Sequence, residues 1–245
     1  MPHRGITVTD ADELSGLLRQ GTSFVECNFD GGSFAGLSVD ALELTDCSLQ
    51  DADFSQLVCG ELRISRCDLR RADFYRADIK ESHFTGSNCA SARFPNAKLN
   101  LSRLTDCDFS VCSFDGASLF GADLTGSRFR TVTFGTTDLD GTTIDRVSFV
   151  MATLAHKSFR KQRIIGVDFS EADLSGCDFT NAVFEDCRIE NAIISPETAF
   201  AGSDLRGARL SNLRLDVARS RGAVISQAQA AGFLQDAYGV LVAEG

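Results

Sequence analysis

Cysteine and histidine are the residues of this chain whose chemistry would be easiest to use, as metal ligands or as redox groups. The chain has nine cysteines and only three histidines, His3, His83 and His156. No two cysteines have the Cys-x-x-Cys spacing that is typical of zinc and redox sites. Every cysteine also falls in one of two periodic columns of small or apolar residues, where a thiol acts as a small buried side chain. We therefore expect no metal site and no cofactor.

The sequence also lacks the sets of residues that support catalysis. No Ser-His-Asp or Cys-His set, glycine-rich phosphate loop or pair of carboxylates in a cleft can be assembled from it. Its 34 acidic and 24 basic residues give a net charge of −10. Such a charge disfavours direct binding to nucleic acid and suits a partner with a basic groove, although solubility alone would also account for it. We expect a protein that is not an enzyme.

An apolar residue recurs at every fifth position from Phe24 to Ile194, and a column of mostly small residues lies two positions before it. Neither a helix nor a strand keeps a period of five on one side, but a coil that turns a corner every five residues does. Steps of 20 along the apolar column give six phenylalanines, whereas steps of 15 give a mixed set, so four units per turn are favoured. The predicted structural core is Phe34, Phe54, Phe74, Phe94, Phe114 and Phe134.

Segments such as Ala72-Asp73-Phe74 and Ala122-Asp123-Leu124 resemble the A(D/N)LXX unit of the pentapeptide-repeat family, and the resemblance covers most of the chain. It implies an all-β solenoid, the right-handed quadrilateral β-helix of pentapeptide repeats. Stacked turns lie about 4.8 Å apart, so nine or ten turns would form a rod roughly 45–50 Å long.

Four segments are predicted along the chain. Residues 1–22 form an N-terminal cap with a short helix, which Asp10 can cap with Glu13 three residues later. Residues 23–195 form the β-helix, and residues 196–225 hold a short loop, where the register slips by one residue, and the last repeats. Residues 226–245 form a C-terminal helix and an apolar tail. No segment has the apolar length of a membrane span or of a secretory signal, so we expect a cytoplasmic protein.

The C-terminal segment has the spacing of a helix. Ser226 and Gln229 form a predicted capping box, and Gly239 ends the helix. Its apolar residues must cover something, either the last turn of the coil or a second copy of the chain. The predicted dimer interface consists of Ala230, Phe233, Leu234, Ala237, Val240 and Leu241.

The densest basic cluster interrupts the column of small residues. Lys157 and Gln162 stand where a small residue belongs, and a charge buried there without a partner would be costly. We therefore expect either a bulge of the coil or a loop that leaves it. The candidate residues are His156, Lys157, Arg160, Lys161 and Arg163.

An acidic belt stands between Arg163 and Arg188, with no lysine or arginine inside it. Its carboxylates are the predicted partner-binding residues: Asp168, Glu171, Asp173, Asp178, Glu185 and Asp186. Aspartates before the apolar column can also accept hydrogen bonds from backbone amides at the corners. Both roles stay open for each of them.

The Gln-Ala-rich C-terminal helix, its glycine and the apolar tail are similar to the end of the Qnr and MfpA subgroup of pentapeptide-repeat proteins, which confer quinolone resistance. The resemblance implies a homodimer formed through the C-terminus, whose acidic surface mimics DNA. It would bind DNA gyrase or topoisomerase IV and modulate the enzyme or protect it against inhibitors, giving antibiotic resistance or self-immunity. Qnr proteins usually have two loops, whereas only the region of His156 could supply one here. The alternative is a rigid interaction scaffold for an unrelated protein partner.

Overall fold

The structure, a computed structural model, describes residues 1–8 and 10–242. Two compact units make up the chain, Met1–Thr143 and Ile144–Gly245. Each unit is a right-handed, four-sided β-helix, and the predicted fold class is confirmed. Ser33 lies in parallel register with Asp53, and Asp53 with Asp73, so one turn of the coil takes four of the five-residue units.

The first unit contains one parallel sheet whose strands follow each other in chain order. The strands are β1 (His3–Arg4), β2 (Ser23–Val25), β3 (Ser38–Thr45), β4 (Val58–Ser65), β5 (His83–Thr85) and β6 (Arg103–Thr105). Each pairs with the strand one turn later, while isolated bridges at the same spacing join the other sides of the coil. Four of these strands have two or three residues because the chain turns a corner there, whereas β3 and β4 have eight residues each.

The N-terminal segment contributes a rung of the coil as well as a helix. Helix α1 (Ala11–Leu18) begins after Asp10, whose carboxylate accepts the N–H groups of Asp12 and Glu13. Before it, β1 pairs with β2, and the ring of His3 stacks on Phe24 with centroids 4.9 Å apart. The period of five does not reveal this rung, because α1 separates it from the rest of the coil.

The second unit contains two strand pairs and a helix. Strand β7 (Arg163–Ile165) pairs with β8 (Val183–Glu185), and β9 (Cys187–Arg188) pairs with β10 (Ala208–Arg209). The predicted slip of the register is confirmed: Asp173 pairs with Ile193 in the regular spacing, but Asp178 pairs with Ala199, one position later than that spacing would give. Helix α2 (Gln227–Tyr238) has a capping box at Ser226 and ends at Gly239, which has φ 67°.

Both columns of the sequence lie inside the coil. The six core phenylalanines are fully buried, and their rings stack from turn to turn, as in the pair of Phe54 and Phe74 with centroids 4.6 Å apart. All nine cysteines are buried and free. Burial raises the pKa of the Cys107 and Cys177 thiols to about 12, so both stay neutral. The interior therefore presents no thiolate at these positions.

Almost every corner of the coil has a residue with positive φ, which the two columns alone do not predict. Glycine occupies many of these positions, but Leu101 (φ 59°) and Val111 (φ 61°) do so as well. Left-handed backbone is costly for residues with a Cβ, most of all for branched ones.

Within the described residues, neither helix has the length and apolar character of a membrane span.

Candidate interaction surfaces

Outward side chains that are one turn apart in the chain lie side by side on neighbouring turns, about 4.8 Å apart. In the first unit, opposite charges occupy many of these neighbouring positions. The ion pairs are Arg66 with Asp46, Arg71 with Asp51, Arg93 with Asp73, Lys98 with Asp78, and Arg128 with Asp108, with distances of 2.6–3.2 Å. The adjacent guanidinium lowers the pKa of Asp46 and of Asp51. Charge on the exterior is therefore arranged in ladders that run from turn to turn.

Many outward aspartates also hold the corners of the coil. The carboxylate of Asp53 accepts the N–H of Ser55 at 2.8 Å, and that of Asp168 accepts the N–H of Ser170 at 2.9 Å. This is the structural role that the sequence left open for these residues. Such an aspartate stabilises the corner of its own turn whether or not it also binds a partner protein.

The acidic belt of the second unit encircles the coil and does not form one patch. Asp168, Asp173 and Asp178 follow each other at intervals of five, so they lie on three successive sides of a turn. Each accepts the backbone N–H two residues further on. Glu171 and Asp186 lie at corners with positive φ. No flat partner can therefore contact the whole belt at once.

Three carboxylates of the belt also lie next to arginines. Arg160 approaches Asp178 at 3.0 Å, Arg163 binds Glu185 at 2.7 Å, and Arg188 lies 3.9 Å from Asp168. Burial alone would raise the pKa of Asp178, but hydrogen bonds from Thr180 and Arg160 bring it below its ordinary value. The belt is less negative than its sequence suggests, because the cations sit one turn away in space.

A stronger acidic surface lies in the first unit and was not predicted. Between Arg19 and Arg63 the chain has eight carboxylates and no lysine or arginine. We call this set the acidic collar: Glu26, Asp30, Asp40, Glu43, Asp46, Asp51, Asp53 and Glu61. The criterion that identifies the predicted belt, a run of carboxylates with no lysine or arginine, also reveals the collar when it is applied to the whole sequence.

Half of the acidic collar has an arginine partner. Glu26 is 3.7 Å from Arg4, Asp46 and Asp51 bind arginines one turn on, and Glu61 binds Arg63. The other four carboxylates form no ion pair within residues 1–8 and 10–242: Asp30, Asp40, Glu43 and Asp53. These four are the carboxylates of the collar that are open to a basic partner.

The predicted loop or bulge at His156–Arg163 is wrong, because this segment stays in the coil. Ser158 pairs with Asp178 in the regular register, and the N–H of Lys157 donates to the carbonyl of Leu154 as at other corners. Lys157 and Gln162 are half-buried and not enclosed. Their length lets the polar ends approach the surface, so the coil accommodates them without opening.

Helix α2 packs against the last turn of its unit. The amide Nε2 of Gln229 donates to the carbonyl oxygens of Leu205, at 2.7 Å, and Ala208, at 2.6 Å. Phe233 is half-buried and lines a cavity of about 320 Å³ with Leu213 and Leu215. Part of the predicted dimer interface therefore covers the chain's own coil.

The remainder of that predicted interface lies at the surface. Ala230 is half-buried, while Leu234 and Val240 are exposed and Leu241 is 80% exposed. The side chain of Ala237 lies outside the described residues. Tyr238, next to the tail, is 62% exposed. Helix α2 and the tail thus present a row of apolar side chains to solvent.

A scan against protein-family models matches eight copies of the pentapeptide repeat, over residues 47–86, 63–100, 72–110, 97–135 and 163–195. The chain belongs to the pentapeptide-repeat family. The match covers turns of both units, where the period of five is most regular. A search of curated protein sequences finds no match.

Solved structures of the same family are similar to the chain. Full-length QnrB1, a plasmid-mediated fluoroquinolone resistance protein, is 16% identical and covers 84% of this chain and 100% of its own, with a TM-score of 0.47. A trypsin-treated QnrB1 is 18% identical and covers 100% of both chains, with a TM-score of 0.46. HetL, involved in heterocyst differentiation regulation in the cyanobacterium Nostoc sp. strain PCC 7120, is 19% identical over 83% of this chain and 97% of its own, with a TM-score of 0.24. At these identities the likeness concerns the fold.

Proposed function

We propose that this pentapeptide-repeat protein is a non-enzymatic DNA mimic. It binds the DNA-binding groove of a type II topoisomerase, DNA gyrase or topoisomerase IV, and modulates or protects the enzyme against inhibitors, as the resemblance of its sequence implies. The observation that carries the proposal is the acidic collar on the exterior of the first unit. The role requires the cytoplasm, where its partner meets DNA.

The charge density of the acidic collar is comparable to that of DNA. Residues 20–62 make about two turns of the coil, which advance roughly 10 Å along its axis. Eight carboxylates over that length give about one charge per 1.2 Å, and the four without an ion pair give about one per 2.5 Å. Double-stranded DNA has one charge per about 1.7 Å, which lies between these limits. A groove that attracts phosphates would also attract this surface.

Competition with DNA tests this proposal. Purified protein should slow supercoiling by gyrase and displace a DNA duplex from it, in both cases less at higher salt. A variant with Asp30→Asn, Asp40→Asn, Glu43→Gln and Asp53→Asn removes four charges but keeps the hydrogen-bond acceptors of the corners. We expect it to compete about tenfold or more weakly, which corresponds to about 1.4 kcal/mol of binding free energy.

A matched variant of the acidic belt is the control. Asp168→Asn, Asp173→Asn, Asp178→Asn and Glu185→Gln remove the same number of charges, three of them from carboxylates that lie beside arginines. We expect a smaller effect, because these charges are already partly neutralised. An equal effect of both variants would assign the binding to net charge alone. Absence of competition by the unmodified protein at micromolar concentration would refute the proposal and favour a scaffold for another partner.

We further propose that two copies pair through the exposed apolar residues of helix α2 and the tail. Leu234, Tyr238, Val240 and Leu241 are exposed next to one another in the chain, and association would remove them from water. Light scattering should give about twice the mass of the 26.4 kDa chain. Leu241→Asp should halve that mass without changing the circular dichroism, because this side chain has few contacts to lose within its own chain. A monomeric unmodified protein would contradict this.

A further inference from the structure

One column of the first unit breaks the pairing of opposite charges. Arg63, His83 and Arg103 lie side by side on β4, β5 and β6, in direct parallel register. Elsewhere in this unit, several cations form ion pairs with carboxylates one turn away. Here two arginines flank a histidine, and no carboxylate occupies a register position between them. Glu61 binds Arg63, so the charge of this column that the coil leaves without an ion pair, within the described residues, is that of Arg103.

The carboxylates at the two ends of this column accept hydrogen bonds from hydroxyl groups and, within the described residues, form no ion pair with Arg63 or Arg103. Glu43 lies in register with Arg63, but its carboxylate accepts the hydroxyl of Ser23 at 2.9 Å. Asp123 lies in register with Arg103, but it accepts the N–H and the hydroxyl of Thr125. Within the part of the chain that the structure describes, Arg103 forms no ion pair.

His83 presents a hydrogen-bond donor between the two arginines. Its Nδ1 lies 3.2 Å from Nη1 of Arg63. Because a guanidinium only donates, Nδ1 accepts this hydrogen bond and the ring proton is on Nε2. Burial, followed by the charges of Arg63 and Arg103, lowers the pKa of His83, while Glu61 acts in the opposite direction. The imidazole is thus neutral at pH 7, with an N–H directed away from Arg63.

These side chains line an open groove of about 550 Å³ together with Gly60, Glu61, Glu81 and Leu101. Glu61 binds Arg63, whereas Glu81 is exposed at the rim. Leu101 is 56% exposed and Phe120, one turn further, is 48% exposed. The N–H of Leu101 donates to the carbonyl of Phe120 at 2.9 Å, so the two side chains share one corner of the coil. The groove therefore has a basic floor beside the exposed side chain of Leu101, and Phe120 follows at the neighbouring turn, next to the groove lining.

We propose that Arg63, His83 and Arg103 form a binding site for an oxyanion, a phosphate or a carboxylate, carried by an apolar or aromatic body that packs on Leu101 and Phe120. The planar guanidinium of Arg103 can hold two oxygens of such a group, and the Nε2–H of His83 donates to another. An anion placed beside Arg103 supplies the opposite charge that this guanidinium lacks within the described residues. Because Glu81 disfavours a small anion at the rim, the apolar body contributes a necessary part of the affinity.

Histidine NMR tests the site directly, since the ring signals of three histidines are easily separated. In an anion-poor buffer, phenyl phosphate and benzoate should shift the ring signals of His83 in a saturable way and raise its pKa. The signals of His3 and His156 should stay in place. We expect dissociation constants near 1 mM, about tenfold tighter than for inorganic phosphate and acetate. The stronger of the two aromatic probes identifies the anion, and no shift of His83 with either would overturn the proposal.

Three variants separate the parts of the site. Arg103→Gln should abolish the shift of His83, whereas Arg93→Gln, on another side of the coil and paired with Asp73, should leave it unchanged. Phe120→Ser should weaken phenyl phosphate about tenfold and leave inorganic phosphate unchanged. All three residues are exposed, so circular dichroism should show an intact coil. Equal binding of phenyl phosphate to Arg103→Gln and to the unmodified protein would contradict the assigned residues.

Discussion

Phe94 offers the sharpest test of how the coil is held together. Its ring stacks on Phe74 at 4.8 Å and 6° on one side, and on Phe114 at 4.9 Å and 4° on the other. Two further rings meet it edge-on, Phe109 at 5.9 Å and Phe84 at 6.5 Å. Phe94→Leu keeps an apolar side chain, slightly smaller, and removes all four aromatic contacts. The substitution therefore measures ring stacking and packing with little change in hydrophobicity.

The expected cost follows from these contacts. Each aromatic pair contributes about 0.5–1.5 kcal/mol beyond its buried area, so two stacked pairs account for about 1–3 kcal/mol. The smaller leucine leaves unfilled space, at about 24 cal/mol per Å³ of cavity, which adds roughly 0.5 kcal/mol. We expect Phe94→Leu to lower the free energy of unfolding by about 1.5–3.5 kcal/mol. This corresponds to a fall in Tm of roughly 3–14 °C for a protein of this size.

Phe120→Leu is the matched control, because it makes the same chemical change in the same unit. The ring of Phe120 is 48% exposed, whereas that of Phe94 is fully buried. We expect its free energy of unfolding to change by no more than about 0.5 kcal/mol. Urea unfolding followed by circular dichroism measures both. Equal effects of the two substitutions would refute the view that stacked interior rings hold successive turns together.

Three further predictions concern the corners, the thiols and the groove. Val111→Gly should raise the free energy of unfolding by up to about 1 kcal/mol, because glycine adopts the left-handed backbone of this corner without strain. Gly126→Ala should lower it by about 1–2 kcal/mol, because the added Cβ would meet the carboxylate of Asp106. Ellman's reagent should react slowly with the folded protein, but it should label all nine thiols once guanidinium unfolds the chain. Fast labelling of the folded protein would contradict the burial of residues such as Cys107. Because the pKa of His83 is lowered from 6.5, the unfolded chain binds a proton more readily, and the stability that this neutral ring contributes at pH 7 is lost as the pH falls below about 6.5. His83→Gln should remove that part of the loss between pH 7 and 5 in thermal melts, and an unchanged pH profile would contradict it.

Much of the interior could be predicted because the period of five is a property of neighbouring residues. Phe34 and Phe54 both face inward because they occupy the same position on successive turns. The capping box at Ser226 and the slip before Phe200 are local patterns too. The rung formed by His3 has no periodic neighbour in the sequence, and only the parallel pairing in space reveals it.

The exterior was harder to predict, because its side chains meet partners from other turns. Asp178 looks unpaired in the sequence, yet Arg160, almost a full turn earlier in the chain, lies 3.0 Å from it. Lys157 looked too polar for its column, but a half-buried position on a coil tolerates a long side chain. The acidic belt was therefore overestimated and the loop was wrong, while the acidic collar was missed.

Backbone hydrogen bonds and the two inner columns determine where the chain turns, so outward side chains can change with little effect on the coil. The charge of an exterior residue is then constrained mainly by its neighbours one turn away, and opposite charges such as Arg93 and Asp73 satisfy that constraint. Positions that violate it need another explanation. Asp30 and Asp40 in the collar lack a cation, and Arg103 lacks a carboxylate within the described residues. The exterior pairs many of its other charges, so these unpaired charges are the physical basis for proposing two separate ligands. The acidic collar would bind a basic groove, and the column of Arg103 would bind an oxyanion.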